Sequence, residues 1–188
     1  MRVVGVLLAG GAGRRFGPGA EKLRAPLGGR PLLGWAVDAM RAGCGEGVVV
    51  QGAADLAGLC PPGIALVTNE LWEQGLATSL RRGLAWAAEV GADAAVVGLG
   101  DAPGVPAEAW RRLAACDAPL AVASFTGRRH PPVRLAASLW DEVPESGEKG
   151  ARVLFDRPDA LTVACPGDPR DVDTPTDLAH WRFAELPA

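Results

Sequence analysis

Apolar residues along the chain fall into two alternating rhythms. The first is the short continuous run: Arg2 to Leu8 is apolar after its first residue and is closed by glycines, as expected of a strand buried on both faces. Runs of the same kind occupy Gly47 to Gln51, with Val48-Val49-Val50 at its centre, then Ile64 to Thr68 after the turn signal Pro61-Pro62-Gly63, Ala94 to Leu99, and Leu120 to Ser124. Between them the spacing changes to a helical period. Leu33, Val37 and Met40 fall at i, i+4 and i+7 in Pro31 to Ala42, with Pro31 expected at the first helical position. Leu76, Leu80 and Leu84 space a second helix to about Glu89, and Pro106 to Ala115 reads as a third.

Beyond residue 124 the rhythm loosens. Pro132 to Leu135 is expected as a short strand, Ser138 to Val143 and Gly150 to Phe155 as helical segments, and Leu161 to Cys165 as another strand. The last element is better marked. Thr174 as N-cap, Pro175 in the first turn and Asp177 at the third position precede a helix expected over Leu178 to Glu185. Alternating strands and helices predict one three-layer, Rossmann-like α/β domain spanning 1–188, with a mainly parallel central sheet. No repeat or linker divides it.

Composition narrows the classes. At 188 residues, 48% apolar and 22% charged, the chain has the balance of a globular domain. A formal charge of -3 and a pI near 5.4 give no bulk attraction for nucleic acid. Cys44, Cys60, Cys116 and Cys165 form no C-x-x-C pair, and His130 and His180 do not complete a zinc motif, so the cysteines are expected to be free thiols. The N-terminal apolar run leads into Gly10-Gly11-Ala12-Gly13-Arg14-Arg15 rather than a cleavage site, and reads as a first strand rather than a signal peptide. No apolar stretch approaches the ~20 residues of a membrane span. The chain is expected in the cytoplasm, with neither membrane nor nucleic acid as a partner.

In a parallel sheet, chemistry is expected at the C-terminal ends of the strands. The first such loop, Leu8-Ala9-Gly10-Gly11-Ala12-Gly13-Arg14-Arg15-Phe16-Gly17 with Lys22 shortly after, combines close backbone approach with positive charge and describes a polyphosphate cradle. It is not a P-loop, because Pro18 follows Gly17 and no Lys-Ser or Lys-Thr pair occurs. Nor is it a dinucleotide fingerprint, since Phe16 stands where the third glycine is required. On its own the loop reads equally as a glycine-rich turn with solvated arginines.

Later segments change that balance. Leu8-Ala9-Gly10-Gly11 through Arg15-x-Gly17 and Lys22 resembles the LAxGxxxRxG…K signature of the nucleotidyltransferase superfamily. Asn69 to Leu80 is similar to the N-x-x-W-x-x-G-x-x-x-S-L segment of the molybdenum cofactor cytidylyltransferases. Gly100-Asp101-Ala102-Pro103 resembles their G-D-x-P, Gly147 to Arg152 their G-D-x-G-A-R, and Asp171 to Leu178 their D-I-D-T-P-x-D-L. The matches run in family order from Leu8 to Leu178. The resemblance implies a magnesium-dependent nucleotidyltransferase that joins a nucleoside monophosphate to a phosphorylated small molecule, molybdopterin or the molybdenum cofactor, with release of pyrophosphate. It places Leu8, Ala9, Gly10, Gly11, Ala12, Gly13, Arg15 and Lys22 at the triphosphate, and Asn69, Gly75 and Ser79 at the nucleoside. Asp101 and Asp173 would hold Mg²⁺, with Arg15, Lys22 and Asp101 carrying the catalysis. Arg128 and His130 are the residues expected to face the acceptor, and a molybdoenzyme or its chaperone is the implied protein partner.

Each of these residues also has a structural reading when taken singly: Asp101 caps a turn, Asp173 supports the N-cap at Thr174, Ser79 lies on a helix and Asn69 forms a turn. Three departures bear on specificity. Gly10 stands where cytidylyltransferases have alanine and resembles the guanylyltransferase relatives, while the two longer segments favour the cytidylyl side; the expected donor is CTP, with GTP the alternative. Arg129 replaces a glycine before His130-Pro131, and Glu148 replaces an aspartate. A sugar phosphate or phospholactate is the alternative acceptor, and a non-catalytic cofactor-binding chaperone is the alternative class.

Overall fold

Strand β1 (Val3–Ala9) is buried at every position but its first. Its side chains divide by parity. Leu7 and Ala9 join one apolar layer, and Val4, Val6 and Leu8 the other. A strand apolar on both faces needs cover on each side. The computed structural model describes residues 1–17, 21–155, 157–181 and 186, and it supplies both layers.

After β1 and a 3-10 turn at Glu21–Arg24 come a two-residue hairpin, β2 (Pro26–Leu27) and β3 (Arg30–Pro31), and helix α1 (Leu32–Cys44). Then follow β4 (Gly47–Gln51), β5 (Ile64–Thr68), α2 (Leu76–Glu89), β6 (Ala94–Leu99), α3 (Ala107–Ala114), β7 (Leu120–Phe125) and β8 (Arg128–Ala136). Two 3-10 segments, Ala137–Glu142 and Gly150–Leu154, lead to β9 (Leu161–Ala164) and α4 (Pro175–His180).

Seven strands form the central sheet in the order β5-β4-β1-β6-β8-β7-β9. β4, β5 and β6 run parallel to β1, and β7 pairs in parallel with β9. β8 is antiparallel to both β6 and β7. α1 and α3 cover one face through Leu33, Val37, Met40 and Trp110, while α2 covers the other through Leu80, Leu84 and Ala87. The chain is thus one α/β domain of three layers, as its sequence predicts. The α1–α3 contact depends on Gly43: a Cβ there would fall 2.3 Å from the Trp110 Cβ.

Four local differences separate sequence from structure. Pro31 is the N-cap of α1 rather than its first residue, because it is already paired with Pro26 in the β2–β3 hairpin. Gly28 and Gly29, at φ 60° and 83°, make the tight turn of that hairpin. β8 is far longer than the expected Pro132 to Leu135, since Arg128 to His130 extend it back to the β7 turn. The segments at 138–143 and 150–155 are 3-10 rather than α-helical. The final helix starts at Pro175 and ends at His180, where Trp181 turns extended as its C-cap, rather than running from Leu178 through Trp181; the expected positions 182–185 lie outside the described residues. Among the described residues no helix is long and apolar enough to cross a membrane.

Candidate active site

The strand order reverses at β1: β4 and β5 lie to one side and β6 to the other. In parallel sheets the crevice beyond such a reversal is the natural ligand site. Here a cleft of about 380 Å³ opens there, with Gly10, Gly11, Gly13, Arg14, Arg15 and Lys22 on the β1 side. Asp101 lies two residues past the end of β6, and the intervening Gly100 N–H donates to the Leu8 carbonyl at 2.9 Å, so the two strand ends are fastened together. The Asp101 carbonyl accepts the Val172 N–H at 2.8 Å. That bond brings the Asp171–Asp173 segment to the same rim.

The charged side chains meet. Lys22 Nζ donates to Asp101 Oδ2 at 2.6 Å and to Asp173 Oδ1 at 3.5 Å. Both carboxylates therefore touch one ammonium, and their oxygens lie no farther apart than those two distances combined. The Lys22 and Asp101 side chains are only 12% and 22% exposed, so this pair is weakly screened. Arg15 reaches Asp173 Oδ2 at 3.0 Å, but its side chain is 73% exposed and the contact contributes little.

A capping box fixes Asp173. Asp177 Oδ2 accepts the N–H groups of Asp173 at 3.1 Å and Thr174 at 2.8 Å, while Thr174 Oγ1 accepts the Asp177 N–H at 3.1 Å. The helix start expected from sequence thus also orients a site carboxylate. Hydrogen bonds from the Thr174 side chain and then the backbone N–H groups hold the Asp177 carboxyl below its ordinary range.

Asp171 is a site residue that sequence reasoning passed over. It lines the cleft, and its Oδ1 is buried without a hydrogen-bond partner. Burial, and then the Asp101 and Asp173 charges, push its pKa up to about 7. An orphaned carboxylate oxygen beside two carboxylates gathered on a lysine ammonium is a donor set suited to a hard cation. Among the described residues no group of three acids, histidines or cysteines could hold a metal by itself. Magnesium fits that limit, because it takes one or two protein carboxylates and completes its shell with phosphates and water.

The residues expected at the nucleoside lie behind the loop, outside the cleft lining. Asn69 and Ser79 are 5% and 3% exposed. Asn69 Nδ2 donates to Thr78 Oγ1 and Ser79 Oγ, both at 2.9 Å. A Cβ on Gly10 would fall 2.8 Å from that serine oxygen, so Ser79 acts as a floor beneath the loop. Gly75 has φ 106° and packs on Gly147, whose N–H donates to the Gln74 carbonyl at 2.8 Å and whose carbonyl accepts the Ala77 N–H at 2.9 Å.

The wall facing the loop is built from Glu148, Lys149, Arg152 and Phe155, with Leu76 and Val133 beneath. Arg128 lies instead at the exposed tip of the β7–β8 hairpin, and His130 is half-buried without lining the cleft. Burial holds the His130 pKa below its ordinary value. Arg129 is a tie: it donates to the Phe155 and Ala160 carbonyls and to Thr162 Oγ1. The signal for the facing wall was the Gly147–Arg152 segment, legible as a motif but carrying no periodicity that would aim its side chains.

A parallel sheet whose switch point sets a cationic glycine loop against two carboxylates defines a nucleotide-handling α/β protein. Residues 5–162 match the MobA-like NTP transferase domain, and the chain belongs to that family. Similar proteins include the molybdenum cofactor guanylyltransferases of Cereibacter sphaeroides (38% identical, covering 74% of this chain and 69% of that protein) and Rhodobacter capsulatus (34%, covering 96% and 95%). The second comparison extends across Asp171 and Asp173, beyond the family match. Among solved structures, Rv0371c from Mycobacterium tuberculosis H37Rv superposes with a TM-score of 0.81 at 26% identity, covering 95% of this chain and 96% of that one. A structure of that protein in complex with manganese gives 0.74 at 24% identity, covering 95% and 97%.

Proposed function

We propose that this NTP transferase moves a nucleoside monophosphate from a triphosphate onto the phosphate of a pterin, molybdopterin or the molybdenum cofactor, and releases pyrophosphate. The observation that carries the reading is the meeting of Lys22 with Asp101 and Asp173 beside the Gly10–Arg15 loop. The names of the two relatives support the pterin acceptor. They also favour GTP as donor, in agreement with Gly10. CTP is the second reading, supported by the Asn69–Leu80 and Asp171–Leu178 segments, although Asn69 and Ser79 are spent on holding the loop from below.

An acceptor phosphate is largely ionised near neutral pH, so no protein nucleophile is required. Its oxygen bonds to the α-phosphorus, the bond from that phosphorus to the α–β bridging oxygen breaks, and the electron pair leaves with pyrophosphate. The protein's task is to align two anions and to stabilise charge on the leaving group. Arg15 and Lys22 serve the β- and γ-phosphates, and the loop glycines permit close approach of the backbone. Asp101 and Asp173 would hold a divalent cation, magnesium by expectation, which supplies further neutralisation of the triphosphate. Lys22 must then exchange its carboxylate partners for phosphate. The reading has the enzyme in the cytoplasm, handing its product to a molybdoenzyme or its chaperone.

The test is product analysis with purified protein, GTP or CTP, and molybdopterin, alongside a sugar phosphate and phospholactate as alternative acceptors. A guanosine–pterin diphosphate as dominant product is expected. A dominant cytidine product selects the second reading, and transfer only to another acceptor overturns the pterin.

A further inference from the structure

The two carboxylates that meet on Lys22 come from segments that share no helix or strand. Asp101 lies in the turn after β6, and Asp173 ends an irregular stretch between β9 and α4. Two backbone hydrogen bonds lace these segments together. The Val172 N–H donates to the Asp101 carbonyl at 2.8 Å, and the Asp168 N–H to the Gly104 carbonyl at 3.0 Å. Beside the second bond sits Trp181, the C-cap of α4, only 8% exposed. Its indole lies against Gly104 and carries the Arg170 guanidinium 4.7 Å from the ring centroid. We infer that Trp181 and Arg170 form a clasp that sets the spacing of Asp101 and Asp173, and so act as positioning residues for the divalent cation. This inference rests on the cation site proposed above and names the residues that hold it in place.

Three observations carry it. Gly104 stands where no side chain fits: a Cβ would fall 2.5 Å from Trp181 Cη2 and 2.6 Å from the Asp168 carbonyl oxygen. That close approach brings Trp181 into one buried apolar layer with Ala102, Val105 and Val172. Ala102 follows Asp101 in sequence and Val172 precedes Asp173, so the layer grips the neighbours of both carboxylates. Secondly, the outer half of the clasp is itself oriented. Arg170 Nε donates to Asp168 Oδ2 at 2.6 Å, and its N–H donates to Asp168 Oδ1 at 3.0 Å. The Arg170 side chain is 55% exposed, so this ion pair adds little stability; its use is to keep the guanidinium over the indole. Thirdly, α4 connects the clasp to the site. The capping box that binds the Asp173 N–H begins this six-residue helix, and Trp181 ends it. A shift at Gly104 is therefore carried to Asp173. A small hard cation tolerates little error in carboxylate placement, and residues that orient its ligands govern affinity without touching it.

The clasp can be tested without turnover. Mn²⁺ is titrated into the full chain in the absence of nucleotide, with free ion read by spin resonance. Trp181→Ala should weaken binding by at least about tenfold, with most of the affinity kept in Trp181→Phe and a smaller loss in Arg170→Ala. GTP affinity measured in EDTA should stay that of wild type, because the Gly10–Arg15 loop is untouched. Leu113→Ala, near the far end of α3, serves as the stability control: it should lower the melting temperature and leave Mn²⁺ affinity as it is. A loss in Leu113→Ala matching that in Trp181→Ala overturns the clasp, as does an equal loss of GTP affinity in EDTA. Wild-type Mn²⁺ affinity in Trp181→Ala overturns it too. Should Trp181→Ala not fold, the exposed Arg170 decides, and unchanged affinity in Arg170→Ala is then the contradicting result. Absence of Mn²⁺ binding by wild type removes the cation site and the clasp with it. Failure of pterin transfer in the product assay strikes the proposed reaction alone, because cation binding is read without substrates.

Discussion

The two walls of the cleft carry opposite arrangements of charge. On the β1–β6 side, Lys22 is shared by Asp101 and Asp173, and Arg15 adds a second contact to Asp173. On the 148–155 side, Lys149 and Arg152 stand unpaired among the described residues. On the first wall Lys22 and Arg15 must exchange partners to bind a triphosphate, while the exposed Arg14 adds a further cation to the cleft lining. The second is ready for an anion as it stands. The contrast suits a reaction in which two anions are brought together, since repulsion between them has to be met from both sides.

Breaking the first wall should have the largest effect. Lys22→Ala is expected to weaken triphosphate binding by more than about tenfold, because a charge-assisted contact to phosphate is lost. The same variant should bind Mn²⁺ more tightly in the absence of nucleotide, since the cation no longer displaces an ammonium from Asp101 and Asp173. Spin resonance of free Mn²⁺ reads this directly, and unchanged or weaker binding would argue against a shared site.

The second wall can be loosened without touching its charges. Gly75→Ala forces a side chain into φ 106° and sets its Cβ 2.5 Å from the Gly147 backbone. A stability loss of roughly 2 kcal/mol is expected from the backbone conformation alone. Acceptor KM should rise while triphosphate affinity changes little. Equal damage to both ligands would mean the walls are not independent.

A smaller effect should come from the loop floor. Gly10→Ala drives its methyl toward Ser79 Oγ, and rotating that hydroxyl away breaks the bond from Asn69. A several-fold fall in triphosphate kcat/KM is expected, with recovery in Gly10→Ala/Ser79→Ala, where the oxygen is gone. Measured for GTP and CTP in parallel, the pair also reports whether residue 10 acts on the base. No recovery in the double variant would move the conflict elsewhere in the loop.

The two walls also differ in how readily they could be read from sequence. β1, β4 and β6 announce themselves as valine-rich runs because both of their faces are buried, and the chemistry of the first wall sits at the ends of β1 and β6. Asp101 after β6 and Asp173 before the Thr174 cap are named by the ordered motifs of the family resemblance, since singly each reads as a turn or cap residue. The second wall hangs on a short 3-10 segment with no repeat to set its direction, so Lys149 and Arg152 gained no role from spacing. β8 was underestimated because it buries Arg134, 1% exposed, between Val133 and Leu135, and begins with Arg128, Arg129 and His130. There its hydrogen-bonding partners outweigh composition. Asp171 stands in the same motif as Asp173 with nothing in the sequence to single it out, because only the folded chain leaves its Oδ1 buried and unpartnered.

The most direct test of the central claim is pyrophosphate release on mixing the protein with magnesium, a triphosphate and molybdopterin, compared between wild type and Asp101→Asn. The account predicts release that requires both substrates, falls by at least about a hundredfold in the variant, and is accompanied by an unchanged circular dichroism spectrum. Near-normal release by Asp101→Asn, or no acceptor-dependent release by wild type, would contradict it.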